Sequence, residues 1–522
     1  MEEVMEATPS APTHTQPRWI RLLRGPLRQP DYVLTRWLFL RAIGLIYLIA
    51  FASLASQITG LIGIDGISPV ATYLHEVLST LGSQAYWRLP SLVWLNSSDT
   101  FLVFLCGAGV VLALLVIFDV LTLPALALLW VLYLSIVYAG QNFLSYQWDI
   151  LLLEVGSLAI FLAPLRPLPG WLRQGTPSRI VIWLFRLLLF RLVLESGIVK
   201  LASGDPTWRN LTATTYHYWT QPLPSPLAWY MNLLPLPFHQ GEVLFTFFIE
   251  LVVPFLIFGP RRLRFAAAGL IILQQTLILL TGNYTFFNFL TISLCLLLLD
   301  DAFLKPLLPR QLTGRFSAVI PALIPQWRQV ISVALAVLIG VLSIAQIGDQ
   351  FFGGVPLLSD FAQTFSPLLL VNGYGLFATM TTSRPEIIVE GSNDGQSWLP
   401  YEFKYKAGDP HRALAWVEPF QPRLDWQMWF VALEGSPEVE GWFPTFMQRL
   451  LQGSPDVLAL LDKNPFPDKP PKYVRAELYD YHFTDAAERA ATGDVWVRQR
   501  TGAFYPQVSL SDFSQGLPGG TH

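Results

Sequence analysis

The stretch at residues 180–200, IVIWLFRLLLFRLVLESGIVK, is long and apolar enough to cross a lipid bilayer. A membrane-spanning helix needs about 17–25 mostly apolar residues. This stretch nevertheless carries Arg186, Arg191, Glu195 and Lys200. Each charged group costs roughly 2.5–3.5 kcal/mol at the middle of the bilayer unless it is paired. The stretch therefore predicts a membrane helix whose charged side chains need partners within the protein.

The composition of the whole chain is that of a membrane protein. Of its 522 residues, 52% are hydrophobic and only 14% are charged, whereas a soluble domain is about 25% charged. The net charge of -3 gives no electrostatic case for nucleic-acid binding. Only Cys106 and Cys295 are present, both inside apolar runs, which excludes a disulfide framework and a thiolate metal site. We expect neither a metal nor a cofactor.

Apolar segments recur through the first two thirds of the chain and predict an α-helical multi-pass membrane bundle over residues 32–348, in contact with membrane lipid. About nine such segments are found, at 37–58, 101–118, 121–139, 150–164, 180–200, 243–259, 264–281, 284–299 and 329–347. The segments at 150–164 and 284–299 are short and predict re-entrant or buried helices. The segment at 72–89 is amphipathic and is expected to lie along the surface.

Basic residues fall in alternate loops of this bundle and predict its orientation. They are Arg18, Arg21, Arg24, Arg28, Arg166, Arg173, Arg179, Arg261, Arg262, Arg264, Lys305, Arg310, Arg315 and Arg328. The positive-inside rule then makes the N-terminal segment 1–31 cytosolic and the C-terminal region extracytosolic. Asn-X-Ser/Thr triplets at Asn96, Asn210 and Asn283 all fall in the opposite, extracytosolic loops, where they are glycosylation acceptors if the organism is a eukaryote.

In the C-terminal part, short segments of alternating apolar residues broken by turn residues replace the long apolar runs. This pattern predicts a β-rich soluble domain at 370–506 and a flexible tail at 507–522. EIIVEGSNDGQSWLPYEFKY (386–405) predicts a strand, a tight turn and a second strand. RLDWQMWFVAL (423–433) and AELYDYHFT (476–484) are expected to be further strands. GWFPTFMQRLLQ (441–452) and SPDVLALLDKN (454–464) are expected to be short helices.

The charged residues inside the spans allow two interpretations. Arg191 and Glu195 are spaced i,i+4 on one helix, while Glu154 and Glu250 lie in other spans. They can form salt bridges that fix the packing of the bundle, or they can line a proton path or a polar substrate pocket. The salt-bridge interpretation is favoured, because pairing is the usual fate of charges in a membrane.

Lys200 ends its span and leads into a loop rich in polar and aromatic residues. It can be a lysine that reaches the membrane interface, or a partly desolvated amine that acts as a base, with His217 and Glu195 as partners. His217 has no second His or Cys at a metal-ligand spacing, so a metal site is not expected.

At the start of the fourth span, Asp149 is expected to cap the helix or to lie near its N-terminus.

Motifs along nearly the whole chain resemble the lipase maturation factor family. They are YQWDILLLEVGSLAIFLAP (146–164), GDPTWRNLTATTYHYWTQPLPSPLAWY (204–230), FIELVVPFLIFGPRR (248–262), GNYTFFNFLTISLCLLLLDD (282–301), NGYGLF (372–377), KYKAGDP (404–410), RLDWQMWF (423–430) and RAELYDYHF (475–483). The residues that this resemblance singles out are Gln147, Trp148, Asp149, Glu154, Gly204, Asp205, Trp208, Arg209, His217, Tyr218, Gln221, Pro222, Glu250, Arg423, Asp425 and Trp426.

The resemblance implies a non-enzymatic membrane protein that holds a client on the extracytosolic side. In eukaryotes the family lies in the endoplasmic reticulum membrane and helps secreted lipases such as lipoprotein lipase to fold and form active homodimers. A bacterial member would lie in the inner membrane, where no lipase client is assured. Exposed aromatics such as Trp426 and Trp429 are candidate client anchors, since Trp is enriched at binding hot spots.

GIVKL (197–201), followed by Trp208, is similar to the segment around the catalytic lysine of vitamin K-dependent gamma-carboxylase. In that family the lysine deprotonates vitamin K hydroquinone. The similarity implies an alternative function, an integral membrane enzyme or lipid-binding protein that uses Lys200 as a base on a lipid-phase substrate. It also implies a lipid-like ligand within the bundle, although a shared fold does not transfer chemistry.

Overall fold

The computed structural model describes residues 31–168, 175–309, 325–436 and 441–514. An all-helical part comes first. Its helices are α1 (Val33–Ala55), α2 (Ile58–Ile62), α3 (Val70–Leu81), α4 (Ala85–Arg88), α5 (Asp99–Ile117), α6 (Thr122–Ala139), α7 (Gln147–Leu162), α8 (Arg179–Ala202), α9 (Pro206–Arg209), α10 (Ala213–Thr220), α11 (Pro226–Asn232), α12 (Leu236–Phe247), α13 (Val253–Leu256), α14 (Arg261–Thr281), α15 (Phe287–Leu296), α16 (Asp301–Leu304), α17 (Gln326–Phe352) and α18 (Pro356–Phe365). The predicted segment 1–31 lies outside the described residues except for Asp31.

Six helices of the described chain are long and apolar enough to cross a membrane, so the chain is a multi-pass membrane protein. They are α1, α5, α6, the joined helix Leu236–Leu256, α14 and α17. A seventh is reached if the pair Phe287–Leu296 and Asp301–Leu307, bent by 105°, counts as one span. The predicted nine spans are not confirmed. The predicted span at 150–164 is the 16-residue helix α7, which is short for a bilayer. The predicted span at 180–200 lies in α8, which is long enough but carries too many charged residues to qualify as a span by composition.

Two of the predicted spans that do not qualify by length and composition, α7 and α8, are largely buried within the bundle. Twelve of the 16 residues of α7 are buried, including Glu154, and α8 buries Arg186, Arg191, Glu195 and Lys200. In contrast, α5, α14 and α17 keep most of their surface outside the protein. Gly156 lets α7 approach α1, because a Cβ there would lie 2.0 Å from the Tyr47 hydroxyl. The charged residues are thus enclosed by protein.

The C-terminal part contains two small sheets and further helices. The elements are β1 (Pro385–Ser392), β2 (Leu399–Pro400), β3 (Glu402–Phe403), α19 (Arg423–Glu434), α20 (Trp442–Gln452), α21 (Pro455–Leu458), β4 (Leu461–Lys463), β5 (Tyr473–Phe483), α22 (Ala486–Thr492), β6 (Trp496–Val508) and α23 (Leu510–Ser514). The larger sheet has the order β2-β1-β5-β6, and β3 pairs with β4. All neighbours are antiparallel, with Ile387 opposite Leu478.

The sequence predictions for this part are correct for the sheet and wrong for one segment. The strand–turn–strand unit is present, with Asp394 Oδ1 accepting the backbone N–H of Gln396 at 2.8 Å. RLDWQMWFVAL, expected to be a strand, is helix α19. Its Leu424, Met428 and Val431 are buried together, and this i,i+4,i+7 spacing is that of a helix face. Packing against the bundle outweighs the preference of aromatic residues for strands.

Two boundaries also differ from the predictions. SPDVLALLDKN forms a helix only at α21 (Pro455–Leu458) and then enters strand β4. The first part of the expected flexible tail belongs to regular elements instead, because β6 continues to Val508 and α23 follows it to Ser514. The remaining part of that tail, 515–522, lies outside the described residues.

Candidate functional site

Helix α8 carries two buried ion-pair sites, one at Arg191 and one at Lys200. In the first, which we call the Arg191 network, the Arg191 guanidinium lies 2.9 Å from Glu154 Oε1 and 3.3 Å from Glu195 Oε1. The second Glu154 oxygen, Oε2, accepts the Tyr374 hydroxyl at 2.8 Å and the Asn372 N–H at 3.0 Å. This is the arrangement that the salt-bridge interpretation predicts, and it fastens the 372–375 segment to the bundle.

The second site, the Lys200 pair, joins Lys200 to Glu250. Nζ of Lys200 lies 2.9 Å from Glu250 Oε2 and donates to the carbonyl of Ser196 at 3.0 Å. The ammonium also lies 5.4 Å from the centre of the Trp208 ring. Lys200 is only 5% exposed, so it does not reach the interface as one interpretation expected. Glu195, the partner proposed from the sequence, is bound in the Arg191 network instead.

Glu250 reaches Lys200 because the backbone around it departs from the α-helix. Residues Phe248–Val252 form a π-helical turn between α12 and α13. Such single-turn π segments are rare and occur often at functional sites. Gly197 on α8 permits the close approach, since a Cβ there would lie 2.8 Å from the Glu250 Cβ. The local distortion thus places the carboxylate against the lysine.

A cavity of about 640 Å³ lies beside the Lys200 pair, within the range of about 300–1,000 Å³ typical of small-molecule sites. Its walls come from the long helices α8, α12, α14 and α15, from the short helices α9, α10 and α11, and from the segment 376–380. Lys200, Trp208, His217, Tyr218 and Glu250 all line it. The structure therefore brings five of the sequence-selected residues to one cavity.

His217 lies on α10 with one side towards the cavity. Its Nε2 is 3.3 Å from the Tyr284 hydroxyl, which in turn donates to Gln221 Oε1 at 2.8 Å. Burial, and then the positive charge of Lys200, lower the pKa of His217 to about 4. The imidazole is consequently neutral at pH 7. Within the described ranges, no group of three or more His, Cys, Asp or Glu is placed to hold a metal ion.

The GDPTW segment places Trp208 beside Lys200 and at the wall of the cavity. Asp205 caps α9 by accepting the Thr207 N–H at 2.7 Å, and it also accepts the Met380 N–H at 2.5 Å. Trp208 donates its indole N–H to the Phe377 carbonyl at 3.0 Å. Gly204 has φ +76°, a conformation that favours glycine. Arg209 is exposed.

The following TQPLP segment is fixed to the C-terminal part by a residue that the sequence analysis missed. Arg384, which is fully buried, donates to the carbonyls of Trp219 at 2.7 Å and Pro222 at 3.0 Å. Gln221 donates to the carbonyl of Thr281 at 2.8 Å. No local pattern marks Arg384 in the sequence, since it stands alone before a strand.

A buried bidentate ion pair joins the C-terminal part to the centre of the bundle. Both guanidinium nitrogens of Arg423 lie 3.0 Å from the carboxylate of Asp149. Tyr133 donates its hydroxyl to the same carboxylate at 2.5 Å. Asp149 lies in the first turn of α7 as one prediction allowed, but Tyr146 occupies the N-cap position and Asp149 does not cap the helix.

The neighbouring motif residues complete this junction. Gln147 Oε1 accepts the Gly375 N–H at 3.3 Å, and the rings of Trp148 and Trp426 lie 4.8 Å apart. Asp425 accepts the N–H groups of Tyr405 and Lys406 at 2.7 and 2.9 Å. The first two contacts hold α7 against the C-terminal part.

The proposed client anchors are not available on the surface. Trp426 is 3% exposed and Trp429 is 8% exposed, because α19 turns both rings into the junction with the bundle. The hypothesis that these two residues hold a client is therefore wrong. Trp416, which the sequence analysis did not select, is 53% exposed in the C-terminal part.

Further cavity residues were also missed, although the sequence offered a signal for them. Gln274 and Gln275 interrupt the apolar run of α14, and Asn288 interrupts that of α15. All three line the cavity. Polar residues within membrane segments mark binding sites as readily as ionised ones do.

Comparison with known proteins covers both parts of the chain. The family model of the lipase maturation factor transmembrane domain matches residues 34–306, and that of the lipase maturation factor C-terminal domain matches 370–506. Lipase maturation factor 1 of Bos taurus is 37% identical over 93% of this chain and 91% of its own length. Lipase maturation factor 2 of Gallus gallus is 37% identical over 93% of this chain and 82% of its own. No solved structure matches.

Proposed function

The chain belongs to the lipase maturation factor family, and from that premise we propose that it helps secreted lipases to fold on the extracytosolic side of its membrane. The observation that carries this proposal is the match of both family domains, which together span most of the chain. The relatives named lipase maturation factor cover more than nine tenths of the chain. In a eukaryote the membrane is that of the endoplasmic reticulum, and in a bacterium it is the inner membrane.

The contacts between the two parts support a single client-facing surface. Asn283, in a loop without basic residues, donates to the carbonyl of Ala415 at 3.0 Å and accepts the Val417 N–H at 2.8 Å. Arg449 donates to the carbonyl of Gly66 at 3.0 Å. The C-terminal part thus packs on loops that carry few basic residues, with Arg88 the one between α2 and α5. The positive-inside rule puts those loops outside the cytosol, where secreted proteins fold.

Trp416 is the client anchor that the structure supports in place of Trp426 and Trp429. It is 53% exposed and follows directly after Ala415, which is held by Asn283. A Trp on a rigidly held backbone can bury a large apolar area in a partner at little cost in conformational entropy. We expect it to contact a newly made lipase.

Co-capture with a client tests the proposal. The intact chain, carrying an affinity tag, is expressed with a secreted lipase and recovered after cross-linking. We expect the lipase to co-purify with the wild-type chain, and Trp416→Ala to reduce its recovery by about tenfold, as at a binding hot spot. Trp327→Ala is the matched control, because Trp327 is 54% exposed but lies at the start of α17. Failure of the wild-type chain to recover the lipase contradicts the proposal.

A second candidate function is an integral membrane enzyme in which Lys200 is the base. The cavity beside Lys200 favours it, since a base must have room for its substrate within hydrogen-bonding distance. Against it, Nζ of Lys200 is held by Glu250 and by the Ser196 carbonyl. A variant Lys200→Met that still matures a lipase in co-expression would separate the maturation role from any chemistry at the lysine.

A further inference from the structure

The cavity beside the Lys200 pair has an apolar mouth between two membrane-crossing helices. Leu236–Leu256 and α14 both pass as spans, and both contribute to its wall. Leu227, Phe238, Leu277 and Leu280 line it and are also exposed. An apolar opening between helices that cross the membrane faces lipid rather than water. A ligand therefore reaches the cavity from the bilayer.

The enclosed part of the cavity carries a polar group that lacks a partner. Asn288 is 1% exposed, and its Nδ2 donates to Gln275 Oε1 at 3.0 Å. Its Oδ1 accepts no hydrogen bond from any part of the chain that the structure describes. A buried carbonyl left unpaired is costly. A ligand hydroxyl that donates to Asn288 Oδ1 removes this cost.

Each charged group that lines the cavity already has a partner within the protein. Lys200 is paired with Glu250 at 2.9 Å. Glu242 lies 2.9 Å from His239 Nδ1 and accepts the Tyr218 hydroxyl at 2.5 Å. A phosphate or carboxylate head group would find no unpaired cation among the described lining residues, and an ammonium head group would find no unpaired carboxylate. The lining therefore selects a neutral head group that can donate hydrogen bonds.

The volume limits the size of the hydrophobic portion. At about 30 Å³ per water-sized group, a cavity of 640 Å³ holds about twenty non-hydrogen atoms. A single acyl chain with a small head group is of that size or extends a few atoms through the mouth, whereas a two-chain lipid greatly exceeds it. The cavity thus suits a slim amphiphile whose chain runs towards the apolar mouth.

We propose that this cavity binds a neutral single-chain lipid of the monoacylglycerol class, with a hydroxyl donating to Asn288 Oδ1 and the acyl chain between Phe238 and Leu277. The site is separate from the client surface at Trp416 and does not depend on the proposed maturation function. It assigns a ligand to the cavity that Lys200, Glu250 and His217 surround.

Photo-labelling of the intact protein tests the site. The probe is a monoacylglycerol with a photoreactive, clickable acyl chain, added to the purified chain in detergent. The label is expected on peptides from 236–250 and 270–288, and monooleoylglycerol is expected to compete at least about tenfold better than oleate or lysophosphatidylcholine. Labelling spread over all membrane-facing helices, or equal competition by oleate, overturns the proposal.

Two glycine variants separate the cavity from the general lipid surface. Gly241 lines the cavity, and a Cβ there would meet no atom within 4 Å. Gly269 on α14 has equally open surroundings but does not line the cavity. Gly241→Phe is expected to reduce labelling about tenfold while Gly269→Phe leaves it unchanged. Equal labelling of the two variants contradicts the proposal.

The head-group contact is tested by comparing the binding of two lipids that differ in whether they carry a hydroxyl group. Methyl oleate has an acyl chain but no hydroxyl donor. The wild-type chain is expected to favour monooleoylglycerol over methyl oleate by about tenfold, a typical effect of one buried hydrogen bond. Asn288→Leu is expected to bind both equally well. An Asn288→Leu protein that keeps the wild-type preference overturns the placement of the hydroxyl.

Discussion

The Arg191 network and the Lys200 pair are two buried ion-pair sites on one helix, yet their surroundings differ. Nine residues apart, they are separated by about 13 Å at 1.5 Å per residue. Arg191 contacts two carboxylates, the Asn372 carbonyl and two further side chains. Lys200 contacts one carboxylate and one carbonyl, and beside it lies a cavity. Buried charged residues of the same helix are therefore fully packed by protein at Arg191, whereas at Lys200 they leave an open cavity.

This difference shows that the identity of a charged residue in a membrane helix does not fix its role. Both sites satisfy the rule that intramembrane charges are paired. The Arg191 network uses its guanidinium fork to join three segments of chain. The Lys200 pair depends on a π-helical turn that brings in a single carboxylate. What distinguishes them is whether the remaining space is filled by protein.

The largest expected effect comes from breaking the packed site. Arg191→Met leaves Glu154 and Glu195 buried without their cation, and we expect it to lower the free energy of unfolding by about 3–5 kcal/mol. Thermal unfolding of the detergent-solubilised chain measures the loss. Arg209→Met is the control, since Arg209 is exposed. An Arg191→Met protein that unfolds with the wild type would show that the network does not stabilise the bundle.

Breaking the site beside the cavity is expected to cost less. Lys200→Met removes the cation from one carboxylate rather than two, and Glu250 keeps its hydrogen bond with Gln274, so we expect a smaller loss of about 1–3 kcal/mol. The double variant Lys200→Met/Glu250→Gln should recover part of this loss, because it removes the uncompensated carboxylate. The same thermal measurement applies. A loss equal to that of Arg191→Met would mean that the two sites are equivalent.

Glu418 provides a third case, a partly buried carboxyl without a cationic partner among the described residues. Its Oε1 accepts the Tyr284 N–H. Burial raises the pKa of Glu418 to about 8, above its ordinary value of 4.5. The protonated form is favoured in the folded state, so its contribution to stability is full below pH 4.5 and is lost as pH rises through about 8. The unfolding temperature should fall between pH 7 and pH 9.

The variant Glu418→Gln isolates this group. It keeps the size of the side chain and cannot ionise, so its unfolding temperature should change less between pH 7 and pH 9 than that of the wild type. Parallel pH series of the two proteins provide the measurement. If both series have the same slope, Glu418 does not titrate in this range.

The smallest expected effect is a change in glycosylation, which reports the side of the membrane on which the Lys200 end of α8 lies. Asn96 and Asn210 are exposed, whereas Asn283 is 3% exposed and donates to the carbonyls of Leu223 and Ala415. Chain made in eukaryotic microsomes should carry glycans at Asn96 and Asn210 but not at Asn283. Asn→Gln variants at each position and an endoglycosidase shift identify the sites. A chain without any glycan contradicts the proposed orientation.

The sequence predicts the parts of this fold that follow from local pattern. Apolar runs locate the membrane helices, and the i,i+4 spacing of Arg191 and Glu195 predicts their pairing. The spacing of residues along the sequence does not predict contacts between residues that are far apart in the chain. Asp149 and Arg423 are 274 positions apart, and Lys200 and Glu250 are 50 apart. These pairs depend on the tertiary arrangement.

Two further failures have physical reasons. Helix α19 was expected to be a strand because aromatic residues favour strands, but its buried face packs on the bundle. The cavity could not be predicted, because an unfilled volume is a property of how several helices pack and not of any one segment. Polar residues such as Gln275 and Asn288 were the one available sign of it.

The central claim, that this chain matures secreted lipases, is tested most directly in cells that lack their own maturation factor. The chain and a secreted lipase are expressed together, and lipase activity in the medium is measured against cells with an empty vector. We predict that the chain restores secretion of active lipase. Absence of activity, with the chain present in the membrane and the lipase synthesised in normal amount, would contradict the claim.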